Sequence, residues 1–217
     1  MKHLLSRLFT TIHSNAKPWS LALIGLCFSG LLHAQNLLVV GDSISAEYGL
    51  KRGSGWVQLL SERLSQSHPD ITVINASISG DTSSGGRARL APLLKQHQPR
   101  WMILELGAND ALRGLPLTAM RDNLSAMIKS AQAQGAQVLL VGIQVPPNYG
   151  KRYTAEFEQS FAQVAEATGV PLVPFLLRGV ADVPDALRWF QTDRIHPNEA
   201  AQPKLLGNVW PELEALL

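Results

Sequence analysis

Five short apolar runs, each followed by a segment whose apolar residues recur at helical spacing, constrain this chain more than any other feature. Residues 37–40, 71–77, 101–107, 137–143 and 170–175 are too short for ordinary helices and read as strands. Between them lie helical patterns over residues 55–64, 87–97, 118–134 and 153–168, and a last one over 199–217 is broken or kinked near Pro203. Ser54 is placed to cap the first helix and Gly135 to stop the third. Strands that are apolar throughout must be covered on both faces, and strands that alternate with helices run parallel. The pattern therefore predicts an α/β fold of three αβα layers around a five-stranded parallel sheet, without internal repeats. Right-handed crossovers put every carboxyl end on one edge. The loops at Ser43, Gly80, Asn109 and Val145 are expected to meet there.

The first 34 residues read as a leader rather than as fold. Lys2, Arg7 and Lys17 precede an apolar run over residues 21–32, no acid occurs, and His33-Ala34-Gln35 offers a small residue for cleavage. Twelve apolar residues fall short of the ~20 that span a bilayer core of ~30 Å. A cleaved signal peptide over residues 1–34, a single domain over 35–217, and a periplasmic or secreted product without a stable membrane span are expected. Bulky Leu26 directly before Cys27 argues against a lipid-modified cysteine. All 17 acids lie after residue 34, whereas three of the 19 Lys and Arg lie before it. The sequence pI of about 8.8 is thus largely a property of the leader and does not imply a nucleic-acid partner. Cys27 is the only cysteine, so the domain has neither disulfide nor thiol nucleophile. With only His68, His97 and His196 left and no clustered ligands, no metal site is expected.

Gly41-Asp42-Ser43 closes the first strand, where open α/β sheets bind their ligands. A helix following directly would aim its first N–H groups at Ser43. Near the C-terminus, Asp193-Arg194-Ile195-His196 spaces a carboxylate and an imidazole by one turn. Asp193 can then hold Nδ1–H of His196 and leave Nε2 free to take a proton from Ser43. His68 and His97 read as solvent-facing connections. Acyl transfer also needs donors for the developing oxyanion, and three loops can each supply one: the Ser43 N–H, the Gly80 N–H and the Asn109 side-chain amide. Taken singly, each of these is an ordinary turn or loop residue. Their conjunction on one sheet edge carries the argument.

Gly41-Asp42-Ser43, Gly80, Gly107-Ala108-Asn109-Asp110 and Asp193-Arg194-Ile195-His196 resemble, in order and sheet position, the four blocks of the SGNH, or GDSL, hydrolase family. Residues 75–82, 96–100 and 147–150 are similar to its secreted thioesterase I, lysophospholipase L1 and arylesterase branch. The resemblance runs from about Leu37 to the last helix. It implies a flavodoxin-like strand order of 2-1-3-4-5 and hydrolysis of acyl esters and thioesters of small molecules or lipids by a monomer without a cofactor. By position it makes Ser43 the nucleophile, His196 the base, Asp193 its orienter, and Ser43, Gly80 and Asn109 the oxyanion donors.

Glu47 stands where a small residue is expected in this branch, and a carboxylate there would narrow the site or disfavour anionic head groups. Leu112, Leu115, Leu117, Val145, Pro146 and Pro147 are candidates to line an acyl groove, while Lys151-Arg152 reads as a solvated basic pair. A carbohydrate O-acetylesterase is the alternative within the family, and a non-catalytic periplasmic binding module the alternative outside enzymes. Nucleotide binding is disfavoured because no Gly-rich phosphate fingerprint follows a strand, and the absence of Gly-x-Ser-x-Gly removes the α/β-hydrolase elbow as a template.

Overall fold

A computed structural model describes residues 35–217; the leader read over residues 1–34 lies outside the described residues. Five parallel strands, β1 (Gln35–Gly41), β2 (Ile71–Asn75), β3 (Trp101–Glu105), β4 (Gln137–Val141) and β5 (Leu172–Val173), form one sheet in the order 2-1-3-4-5. Helices α1 (Trp56–Ser67) and α6 (Gln202–Glu214) pack together on one side, and α2 (Ser83–His97), α4 (Leu117–Gln132) and α5 (Lys151–Thr168) on the other. A short helix, α3 (Ala108–Leu112), follows β3. The sequence predicts a loop at Asn109, because five residues are too few to show a helical period.

The fully covered strands are those at the centre. Leu37, Leu38, Val39 and Val40 of β1 have no exposed surface, and Trp101 to Glu105 of β3 are all buried. A parallel sheet with helices on both faces admits no alternation there. The edge strand β2 is buried only at Ile71. Helix α4 turns Met120, Leu124, Met127, Ile128 and Ala131 inward, the stripe its spacing predicted.

One helix start differs from expectation. Ser54 does not cap α1; its hydroxyl bonds the Lys51 carbonyl at 2.6 Å, and the Trp56 N–H goes instead to Gln202 Oε1 of α6 at 3.0 Å. A distant side chain thus supplies what a local cap was expected to supply. The last helix is interrupted as predicted, with a 3-10 turn over Glu199–Ala201 before α6 starts at Gln202. Pro203 sits in the first turn of α6, where its missing N–H costs no hydrogen bond.

β1 lies between β2 and β3, so the connections leaving β1 and β3 diverge and open a crevice at the carboxyl edge. No helix among the described residues is long and apolar enough to cross a membrane. Because Leu38 is wholly enclosed by both helical layers, Leu38→Ala is expected to cost about 2–5 kcal/mol of stability, read as a lower urea midpoint with the slope unchanged.

Candidate active site

Beyond Gly41 the chain does not enter a helix. Asp42 Oδ1 accepts the Ile44 N–H at 3.0 Å, and the Ala46 N–H reaches the Asp42 carbonyl at 2.9 Å, closing a single turn. Glu47 then adopts a φ of +59°, which stops helical propagation, and α1 begins only at Trp56. No helix N-terminus therefore stands directly behind Ser43, and the chain winds through turns to residue 49. Glu47 also departs from expectation in direction. Its two carboxylate oxygens bond the Gly53 and Gly55 N–H groups at 3.0 and 2.7 Å, tying down the following loop, and it does not line the cavity at Ser43.

The structure brings Ser43, His196 and Asp193 into line. Ser43 Oγ lies 2.9 Å from His196 Nε2, and His196 Nδ1 lies 2.7 Å from Asp193 Oδ2. An ionised carboxylate only accepts, so Nδ1 carries the proton and Nε2 of the neutral ring is free to accept from Ser43. Asp193 Oδ1 accepts the backbone N–H groups of Ile195 and His196 at 2.9 and 3.0 Å. Desolvation pulls the Asp193 carboxyl upward, but the hydrogen bonds from the His196 ring and these two amides outweigh it and hold the group at about 2. Gln191 closes the loop: its N–H donates to the His196 carbonyl at 2.8 Å, and its side-chain amide reaches the carbonyls of Tyr48 and Pro197.

Ser43, Gly80, Asn109 and His196 line one cavity of about 340 Å³. Among the described residues, neither the Ser43 N–H nor the Gly80 N–H donates to another protein group. Asn109 commits one amide N–H to Asp42 Oδ2 at 3.2 Å, and its second remains. Gly80 takes a φ of +79°, a conformation that a side chain would strain even though a Cβ there would meet only Arg113 Nη2, at 3.6 Å. Its loop is braced from two sides. Arg89 bonds Asp81 at 2.7 Å and the Ala76 carbonyl at 2.5 Å, and Arg113 holds the Gly80 carbonyl at 2.6 Å. Asp110, buried, bonds both the N–H and the hydroxyl of Ser83 at the start of α2, which fixes the Gly80 loop relative to Asn109.

Beneath this cavity lies a pair of carboxyls that the sequence reading did not single out. Glu105 ends β3 fully buried and accepts the Ser45 hydroxyl at 2.7 Å and the Asp42 N–H at 3.3 Å. Gly41 is required for that approach, since a Cβ there would stand 2.7 Å from Glu105 Oε2. Burial, and then the neighbouring Asp42, push the Glu105 carboxyl well above its ordinary value, against the opposing bond from Ser45. Burial likewise raises Asp42 to about 6, against the Ile44 N–H, His196 and the Asn109 amide. The available signal was an acid closing an otherwise apolar strand, Trp-Met-Ile-Leu-Glu.

A second cavity of about 630 Å³ shares Ile44, Ala108, Leu112 and Ile195 with the first and extends past Val145 and Pro146 toward Phe175. Three of the expected groove residues, Leu112, Val145 and Pro146, line it. Leu115, in the loop before α4, is exposed outside it, and Leu117, the first residue of α4, is buried in the core. Pro147 opens a 3-10 turn over Pro147–Tyr149. Lys151 and Arg152 are exposed at the start of α5, and neither bonds a carboxylate among the described residues. Among the described residues no group of three His, Cys, Asp or Glu could hold a metal ion.

A flavodoxin-like sheet that carries a hydroxyl, an imidazole and a carboxylate in line at its switch point, with free N–H donors beside them, has the equipment of an ester hydrolase. The chain belongs to the GDSL-like lipase/acylhydrolase family, whose model matches residues 39–202. It is 53% identical over 184 residues to the esterase TesA of Pseudomonas aeruginosa, covering 85% of this chain and 90% of that protein. To the thioesterase 1/protease 1/lysophospholipase L1 of Escherichia coli K12 it is 41% identical over 184 residues, covering 85% and 86%. Among solved structures, the psychrotrophic esterase EstA of a Pseudoalteromonas species, inhibited by monoethylphosphonate, superposes with a TM-score of 0.77 at 42% identity, covering 83% of this chain and 97% of that one.

The two sets of carboxyls should respond to pH in opposite senses. Asp193 stabilises the fold above its unfolded value of 3.8, and this is lost as pH falls toward 2. Glu105 and Asp42, being raised, favour the fold at low pH and lose that contribution as pH rises through 4.5 and upward and from 3.8 to about 6, respectively. Glu105→Gln keeps both hydrogen-bond acceptances and removes one acid. Its urea midpoint relative to the parent protein is expected to be higher at pH 7.5 than at pH 4.5, and a pH-independent difference would contradict the assignment.

Proposed function

We propose that the protein hydrolyses acyl esters and thioesters, lysophospholipids among them, through an acyl-enzyme on Ser43. The observation that carries this reading is the unbroken chain from Ser43 through His196 to Asp193, at 2.9 and 2.7 Å. His196 Nε2 takes the Ser43 proton as Oγ attacks the acyl carbonyl, and Asp193 stabilises the imidazolium that forms. The carbonyl oxygen becomes negative and is received by the N–H groups of Ser43 and Gly80 and the Asn109 amide. The tetrahedral adduct collapses, the alcohol or thiol leaves with the proton from His196, and water repeats the sequence on the acyl-enzyme.

The larger cavity supports an acyl chain of several carbons: it is continuous with Ser43 through Ile44 and walled by Val145, Pro146 and Phe175. The names of the two curated relatives, an esterase and a thioesterase/lysophospholipase, support the same substrate classes. The phosphonate-inhibited structural relative is consistent with a reactive hydroxyl. The leader over residues 1–34 belongs to this proposal and implies export. N-terminal sequencing of the exported protein is expected to begin at Gln35; a mature chain still carrying residues 1–34 would contradict the leader.

The deciding test is labelling with a fluorophosphonate probe followed by turnover of acetyl to decanoyl thioesters and nitrophenyl esters. Labelling is expected in the parent protein and lost in Ser43→Ala, and Asn109→Ala is expected to lower kcat by about 10²–10³ while retaining the label. An unlabelled parent protein would instead make the chain a binding module. Activity confined to acetyl groups would favour the O-acetylesterase.

A further inference from the structure

Of the donors that face the cavity, Gly80 is the hardest to aim. The Asn109 amide is directed by its bond to Asp42 Oδ2 at 3.2 Å. Gly80 has no side chain, and a donor that is to receive a substrate oxygen must keep its own N–H free of protein partners. Its direction can then be set only through its carbonyl and its neighbours. The Ile78 N–H bonds the Gly41 carbonyl at 3.0 Å and the Asp81 N–H bonds the Ile78 carbonyl at 3.1 Å, which makes Gly80 the third residue of a tight turn. At that position, with φ at +79°, a glycine retains more backbone freedom than any other residue. Among the described residues the partner of Gly80 itself is Arg113, whose Nη2 donates to the Gly80 carbonyl at 2.6 Å.

Arg113 is bonded to the other donor as well. Its backbone N–H returns to the Asn109 carbonyl at 3.2 Å and closes α3. Beyond it the chain turns at Gly114, with φ at +63°, and the Leu115 N–H bonds the Asp110 carbonyl at 2.9 Å. One residue thus holds Asn109 through its main chain and Gly80 through its guanidinium. The Arg113 side chain is exposed, bonds no carboxylate among the described residues and does not line the cavity at Ser43. An exposed hydrogen bond to a neutral carbonyl adds little to folding once the ordering of a long side chain is counted. Its consequence is geometric: it fixes one oxyanion donor relative to the next.

We propose that Arg113 is a positioning residue for acyl transfer, locking the Gly80 N–H against the Asn109 amide so that both meet the same oxygen. The proposal rests on the hydrolase reading above. Arg113 acts through Gly80 and does not touch the substrate. As the acyl oxygen gains charge, a donor that is already aimed stabilises it without reorganising. Loss of the guanidinium therefore falls on the transition state and spares the binding of the ester itself.

The test measures kcat and KM for one nitrophenyl ester in the parent enzyme, Arg113→Ala and Arg113→Lys. Two inhibitors accompany it: an alkyl trifluoromethyl ketone, which Ser43 converts to a tetrahedral oxyanion, and the matching secondary alcohol, which forms none. In Arg113→Ala, kcat is expected to fall roughly tenfold, less than for loss of a donor itself, with KM unchanged. Affinity for the ketone is expected to weaken by the same factor and affinity for the alcohol to stay as in the parent. Arg113→Lys, whose ammonium can donate to the same carbonyl, is expected to remain within roughly threefold of the parent. The ketone-to-alcohol ratio is read on the folded, active fraction, so it decides the matter even if Arg113→Ala is less stable. An unchanged kcat, a raised KM at constant kcat, or equal weakening of both inhibitors each overturns the proposal. A parent enzyme that does not hydrolyse the ester removes the hydrolase reading itself, whereas an active parent matched by Arg113→Ala removes only the role of Arg113.

Discussion

Strand β1 has a partner on each side and a helical layer on each face, and the rest of the site follows from that enclosure. Its hydrogen bonds are committed to β2 and β3, and its four central side chains are wholly buried. The chain leaving it must therefore emerge at the carboxyl edge, between connections that diverge to opposite faces. Ser43 lies at that exit. Gly80 and Asn109 arrive from the ends of β2 and β3, the two strands that flank β1. His196 arrives from a loop near the C-terminus, and it is fixed by bonds from Gln191 and Asp193 rather than by the sheet.

Proximity through topology alone is loose, and a second set of interactions removes the slack. Asp42 takes the Ile44 N–H with one oxygen and the Asn109 amide with the other, so a single carboxylate sets the turn at Ser43 and aims the amide beside it. Glu105 supports the same turn from below through Ser45 and the Asp42 N–H. Burying two acids together is costly, as their raised values record, and apolar residues of the same volume would remove that cost. Only polar groups, however, can hold a backbone N–H and a side-chain amide in fixed directions. The expense is localised where direction matters.

How much of this was legible in the sequence depended on whether a feature is encoded locally. The five strands and their parallel run rest on period, and that signal is short-range; the strand order 2-1-3-4-5 rests on the family resemblance, and the pairing of Ser43 with His196, 153 residues away, on sheet topology, elimination among the histidines and that resemblance. The Asp193–His196 contact spans three residues and could be read directly. What was missed depends on partners far along the chain. Trp56 is capped by Gln202 instead of Ser54, and Leu115 and Leu117 separate according to how α4 meets the core. Glu105 was unremarked because nothing adjacent to it in the chain indicates that Ser45 and Asp42 will lie above it.

Glu47 shows both sides of that limit. The position has a φ of +59°, which favours glycine over a residue with a side chain. The expectation that a carboxylate would intrude on the site failed, because the side chain finds two loop N–H groups on the opposite side. Arg194, at φ +58° between Asp193 and His196, is the second such residue flanking the site. A left-handed conformation costs a non-glycine residue roughly 1–2 kcal/mol. At both positions the neighbouring hydrogen bonds hold that conformation: the Glu47 carboxylate bonds in one case, and in the other the Asp193 carboxylate with the two amides that follow it. Strain of this kind persists only where surrounding contacts over-determine the backbone, and here it falls on the two turns that present Ser43 and His196 to each other.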